Sequence, residues 1–194
     1  MEPEFTPELV ELAYRNGIFP MHNQFSGELE WYRPNPRAII PLDGFHVSRS
    51  LAKTIRRGEF QVTMNRAFED VMRGCADRDG GSWINDEFIA VYGALHRGGK
   101  AHSVEVWRDG ALAGGTYGVA LGGAFMAESM FHRVTDASKV ALHGLVSRLN
   151  ERGFTLLDTQ YLTPHLASLG AITISHGRYM QRLRTALALP ATFD

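Results

Sequence analysis

Between residues 102 and 131 three β-rich runs follow one another, HSVEVWR, GGTYGVALG and AFMAESMF, separated by little more than Asp109-Gly110 and Gly122-Gly123. Such dipeptides supply the positive φ that tight hairpin turns demand, so the runs must fold back on one another as an antiparallel meander. A meander has apolar faces to cover, and the flanking sequence supplies covers. Thr6-Pro7-Glu8 opens a short helix that Gly17 closes. Helices follow over 48–57, 67–76 and 86–97, the last placing Phe88, Tyr92 and Leu95 on one side and stopping at Gly98-Gly99. Asp136 is the N-cap of a long helix to residue 152, with Ala141, Leu145 and Leu149 in register. Short strands are expected at 38–41, 60–64, FTLLDTQYL and AITI, and a last helix over 178–189. ADRDGGSW reads as a loop.

A meander followed by helix, strand and helix predicts an α+β fold, a mostly antiparallel sheet flanked by helices. That order is the order of GNAT-like acyltransferases, here an analogy. Residues 19–36, with prolines at 20, 34 and 36, read as irregular and mark a boundary. They separate a short N-terminal subdomain, 1–35, from the main domain, 36–194.

The 44% hydrophobic content is enough for a core without staples, and one cysteine, Cys75, excludes an internal disulfide and a cysteine-rich metal site. Cys75 lies in an apolar-periodic helix and reads as a small core residue. The acidic N-terminus lacks the pattern of a signal peptide and no window approaches a membrane span, so a cytoplasmic protein with no membrane partner is expected. Net charge is −1, yet residues 1–30 alone carry −5, which leaves +4 on the remainder.

In AFMAESMF one carboxylate, Glu128, interrupts an apolar strand. Alternation puts Phe125, Ala127, Ser129 and Phe131 on one face and Met126, Glu128 and Met130 on the other. The same rule in LLDTQYL aims Asp158 and Gln160 one way and Leu157, Thr159 and Tyr161 the other. Buried carboxylates are costly unless paired, so two acids in neighbouring strands indicate either a lined cleft or structural pairing, for example with Arg133 or Lys139. In a cleft, Asp158 is placed to accept a proton and Gln160 to orient an amine.

RSLAKTIRR sets Arg49, Lys53 and Arg56 or Arg57 along one helical stripe, either a solvated face or a grip on a phosphate backbone. Trp83, after Gly80-Gly81-Ser82, either packs over the core or stacks on a base. No phosphate-binding glycine loop, serine elbow or zinc-type histidine pair occurs, and the histidines do not cluster, so no metal and no cofactor are expected. FHRVTDASK, where coenzyme A would need a glycine-rich turn, has no glycine.

Taken in order, AYRNGIFPM, WYRPNPRAIIP, HVSRSLAK, VTMNRAFEDVMRGCA, AHSVEVW, GGTYGVALGGAFMAESMF, DASKVAL and LLDTQYLTPHLASLGA resemble the leucyl/phenylalanyl-tRNA–protein transferase family over nearly the whole chain. The resemblance implies transfer of leucine, phenylalanine or methionine from aminoacyl-tRNA to acceptor proteins with N-terminal arginine or lysine, tagging them for N-end rule degradation. It implies that Glu128 holds the substrates and that Asp158 and Gln160 accept and relay the amine proton. It places Phe125, Met130, Leu157, Thr116 and Leu145 around the donor side chain, and Tyr14, Met21 and Trp83 at the terminal adenosine. Position 21 is methionine where several relatives carry tryptophan, Thr163 stands where some carry asparagine, and the first subdomain is abbreviated. Arg49, Lys53, Arg56 and Arg57 then serve the acceptor stem. The rival readings are a coenzyme A-dependent N-acetyltransferase of the same fold and a noncatalytic tRNA- or degron-binding module.

Overall fold

A computed structural model describes residues 4–23, 25–77 and 81–194. The N-terminal helix α1 (Pro7–Arg15) starts where expected, with Thr6 Oγ1 accepting from the Leu9 N–H. Residues 19–36 are not irregular. They form a two-stranded antiparallel ribbon, β1 (Phe19–His22) with β2 (Leu29–Tyr32), turned by Asn23 and by Gly27 at positive φ. Proline is tolerated there because a two-stranded ribbon has open edges.

The remaining strands make one seven-stranded sheet in the order β4-β5-β6-β7-β8-β3-β9. These are β3 (Arg37–Ile40), β4 (Gln61–Met64), β5 (Ala101–Arg108), β6 (Ala111–Leu121), β7 (Ala124–His132), β8 (Leu156–Gln160) and β9 (Ile172–Ile174). The expected meander is β5-β6-β7. Every neighbour pair is antiparallel except β7 with β8, which are parallel because α5 (Ala137–Glu151) crosses over between them.

Helices cover both faces. On one side α1, α3 (Phe68–Ala76), α4 (Asp86–Arg97) and α7 (His176–Leu187) bury Val10, Val71, Tyr92 and Tyr179 against the sheet. On the other, α2 (Arg49–Arg57), α5 and a short α6 (Pro164–Ser168) bury Leu51, Leu145 and Leu166, and Phe193 of the C-terminal tail joins them. The expected core stripe of α5, Ala141, Leu145 and Leu149, is fully buried, and so is Cys75.

Two further expectations need correction, and one element is new. Asp136 precedes α5 but does not cap it with its side chain: at φ 69° it turns its carboxylate to Lys139 Nζ and Thr54 Oγ1, at 2.8 and 3.1 Å. The helix α6 was not foreseen, since five residues give no usable period. Strand alternation fails in β7 and in β8, for the reasons given below. Of the loop ADRDGGSW, residues 78–80 lie outside the described residues.

Candidate functional site

β7 and β8 run side by side only as far as the pair Met126–Asp158. Beyond it β7 follows β6 and β8 follows β3, so the two strands part and leave a gap in the sheet. Each carries a bulge at the fork. Tyr117 faces Ser129 and Gly118 faces Ala127, so Glu128 is the extra residue of β7. Ala38 faces Gln160 and Ile39 faces Asp158, so Thr159 is the extra residue of β8.

The bulges overturn the expected facing. Met126 lies in the core beneath α3 and α4 while Met130 packs on the α5 side, and Phe131 lies opposite to Phe125. Glu128 therefore does not sit between two thioethers of one face. At the end of β8, Thr159, Gln160 and the following Tyr161 all border the gap, while the Asp158 side chain turns beneath it.

The gap opens into a recess of about 340 Å³. Glu128, Ser129 and Met130 form one wall, and Thr159, Gln160 and Tyr161 the other. Phe19 and Met21 of β1, Trp83, and Thr163, His165 and Leu166 around α6 complete the rim. Thr163 caps α6 through its hydroxyl, which brings His165 and Leu166 to the edge. Gln160 Nε2 donates to Glu128 Oε1 at 3.2 Å and so spans the fork.

Glu128 borders the recess, but its carboxyl group lies deep, beside the hydroxyls of Tyr14 and Tyr92, which are 2.7 Å apart. Burial pushes that carboxyl up to about 8; hydrogen bonding from Tyr14 opposes the rise, and the charge of Asp158 adds to it. Both tyrosines are raised well above their ordinary value, by burial first and by Glu128 second. A carboxyl group so tuned changes protonation state within the working pH range of an ordinary enzyme.

Asp158 has a different setting. It is fully buried, and both oxygens are engaged: Oδ1 accepts from Arg37 Nε at 2.9 Å and from the Gln160 N–H at 3.0 Å, Oδ2 from Arg37 Nη2 at 2.6 Å and Tyr179 Oη at 2.8 Å. Its partner is thus Arg37, not Arg133 or Lys139. Burial is the largest influence on the Arg37 guanidinium and works to lower it, yet the charge and hydrogen bonds of Asp158, with Tyr179 and Tyr14, together hold it above its ordinary value. Tyr179 is raised by burial and by the same carboxylate.

The structure gathers Glu128, Gln160, Met130, Met21 and Trp83 around the recess, with Trp83 packed edge-on against Phe88 at 5.3 Å. Tyr14 is placed behind Glu128 and does not line the recess. Phe125, Leu157 and Leu145 are fully buried on the α5 side, with Phe193 filling the space 5.5 Å from Phe125. Thr116 is buried too, donating to the Ser129 carbonyl at 2.9 Å. Arg49, Lys53, Arg56 and Arg57 are exposed on α2 and stand away from the recess lining; Arg57 reaches Glu59 at 4.0 Å.

Sequence reasoning missed Arg37, Tyr179, Tyr92 and Phe19. One signal was available: an arginine opening the apolar strand RAII needs a buried anion, and Asp158 was one of two carboxylates in apolar strands. Among the described residues no group of histidine, cysteine or carboxylate side chains is arranged to hold a metal. None of the helices there is long and apolar enough to cross a membrane.

A family model described as leucyl/phenylalanyl-tRNA protein transferase matches residues 39–184, and the model of that family's N-terminal domain matches residues 3–35. A leucyl/phenylalanyl-tRNA–protein transferase of Herpetosiphon aurantiacus is 52% identical over 194 residues, all of both chains. One from Gloeobacter violaceus is 50% identical over 188 residues, 97% of each. Among solved structures, a GCN5-related N-acetyltransferase from Kribbella flavida aligns over 87% of this chain and 61% of its own, with a TM-score of 0.47 and 11% identity. L-PGS from Bacillus licheniformis aligns over 83% and 55%, with a TM-score of 0.46 and 16% identity.

Proposed function

The chain belongs to the leucyl/phenylalanyl-tRNA–protein transferase family, and from that premise we propose that it moves leucine, phenylalanine or methionine from aminoacyl-tRNA to the N-terminal arginine or lysine of an acceptor protein. The modified protein then enters N-end rule degradation. The observation that carries this reading is the recess at the β7–β8 fork, where Glu128 and Gln160 meet beside apolar Met130.

An aminoacyl ester is already activated, so the protein has to align and to manage one proton. The acceptor α-amine nitrogen attacks the ester carbonyl carbon, the new C–N bond forms, and the bond to the terminal ribose oxygen breaks. The proton leaving the amine ends on that ribose oxygen, releasing tRNA with a free hydroxyl. Alignment alone supplies on the order of 7 to 11 kcal/mol in favourable systems. Gln160 and Glu128 face the reacting groups and hold the amine; Glu128, poised near neutrality, is suited to passing the proton. Asp158, expected from the resemblance to accept that proton, has both oxygens engaged by Arg37, Tyr179 and the Gln160 N–H, so in this reading it acts beneath them by holding Gln160.

The donor side chain rests against Met130, with Thr116, Phe125, Leu145 and Leu157 forming the packed backing of that wall. Met21 and Trp83 receive the terminal adenosine at the rim, and Tyr14 supports Glu128 from behind. The stripe Arg49, Lys53, Arg56 and Arg57 meets the acceptor stem. Residues 1–35 serve as a separate unit that contributes the β1 edge of the recess.

A coenzyme A-dependent acetyltransferase is the weaker reading. The turn entering α5 offers the carboxylate of Asp136 where a pyrophosphate would need bare N–H groups. Labelled leucyl-tRNA and labelled acetyl-CoA, each offered with an arginine-initiated peptide, separate the two. Label is expected on the peptide from leucyl-tRNA alone; label from acetyl-CoA alone overturns the proposal.

A further inference from the structure

We infer that Arg37 is a positioning residue for the transfer reaction: through Asp158 and through Phe19 it fixes both sides of the recess, so that Gln160 meets Glu128 across the fork. The inference rests on the transfer reading above and assigns the buried machinery beneath that site.

Arg37 is 0% exposed and makes contact in two directions. Toward β8, its forked Nε and Nη2 grip both oxygens of Asp158, and Asp158 Oδ1 also holds the Gln160 N–H. Toward the N-terminal ribbon, Nη1 donates to the Gly17 carbonyl at 3.1 Å and the guanidinium lies 4.8 Å from the Phe19 ring centre. Phe19 and Gln160 are both recess residues. Tyr179 of α7 completes the cluster, its ring centre 4.6 Å from the guanidinium and its hydroxyl on Asp158.

A role in stability alone does not account for this. A buried ion pair is commonly no better for stability than apolar side chains of the same volume, which could join β3 to β8 equally well. What apolar side chains cannot do is accept from the Gln160 N–H. Gln160 sits at φ 58°, a left-handed conformation that a glutamine adopts only when its surroundings impose it. The Asp158 acceptor holds the Gln160 N–H in that turn, which the Tyr161 N–H closes on the Thr159 carbonyl at 2.6 Å, and Arg37 fixes the acceptor. The consequence is the direction of the Gln160 amide, which points at Glu128.

Two variants test this, read by circular dichroism, thermal melting and steady-state transfer from leucyl-tRNA to an arginine-initiated peptide. Arg37→Lys keeps the charge and loses the fork. The double variant Arg37→Met with Asp158→Leu replaces the pair by apolar volume. Both are expected to melt cooperatively. Loss of alignment should lower kcat by about 10-fold in Arg37→Lys and about 100-fold in the double variant, with KM for leucyl-tRNA within about twofold of the parent. A folded double variant with parental kcat overturns the inference, and so does a defect confined to KM. Should the double variant lose its cooperative melt, parental kcat in Arg37→Lys overturns it alone. An inactive parent protein would instead overturn the transfer reading.

Discussion

At the scale of single residues, two carboxylates stand at the fork in opposite environments, Glu128 bordering the recess and Asp158 beneath it. Asp158 is saturated by Arg37, Tyr179 and a backbone N–H, while Glu128 has tyrosine hydroxyls and the Gln160 amide and feels the Arg37 charge only as a minor influence. Because the Glu128 carboxyl is raised to about 8 from an unfolded value near 4.5, its contribution to stability is complete below the unfolded value and is lost as pH rises through about 8. Urea unfolding at pH 6 and pH 9 should therefore show the parent less stable at the higher pH, and Glu128→Gln should remove that part of the pH dependence. Equal pH dependence in the two proteins would contradict the assignment. Met130 gives a second prediction: Met130→Trp should cut kcat/KM for phenylalanyl-tRNA more than for leucyl-tRNA, since the larger donor loses more room. Hydrophobic pockets discriminate by about 1 to 3 kcal/mol per methylene, so the change in preference should be modest. Glu128, Asp158 and Gln160 were visible in the sequence because polar residues in apolar strands need an explanation. Their separate duties were not, because a sequence does not say which acid the buried arginine will meet.

At the scale of elements, the site is made by two bulges and a fork. Gly118 faces the β7 bulge, and a Cβ there would lie 2.2 Å from the Met126 carbonyl oxygen, with the Phe125 ring at 2.5 Å. Gly118→Ala should thus displace the bulge, lower the melting temperature and reduce transfer; an alanine variant with parental melting and activity would show that the bulge does not hold Glu128 in place. Helix α2 carries a separate prediction. Replacing Arg49 by alanine should weaken leucyl-tRNA binding and reduce the slope of log affinity against log salt by about 1, a response absent if α2 is only a solvated face. The helices and the meander were legible because caps, hairpin turns and apolar periods are local signals. The β1–β2 ribbon and the bulges were not: the ribbon is hidden by prolines, and a bulge leaves the local pattern of residues unchanged while reversing which face each one meets.

At the scale of the whole molecule, one sheet is covered on both faces, opened at one fork, and closed along one edge of that opening by a ribbon from the first 35 residues. Arg37 stands where these parts join, reaching the turn before β1, strand β8 and helix α7. The order of elements predicted the mixed fold and the layered sheet. It did not predict that β3 would insert between β8 and β9, a long-range pairing on which no neighbouring residue reports. The central claim is that the Gln160–Glu128 bridge across the fork is the place of aminoacyl transfer. Single-turnover transfer at saturating leucyl-tRNA tests it most directly, with Glu128→Gln, Gln160→Met and the two combined. Each single variant should slow transfer about 100-fold, and the pair should slow it by far less than the product, because both act on one bridge. Parental rates in all three folded proteins would contradict the account.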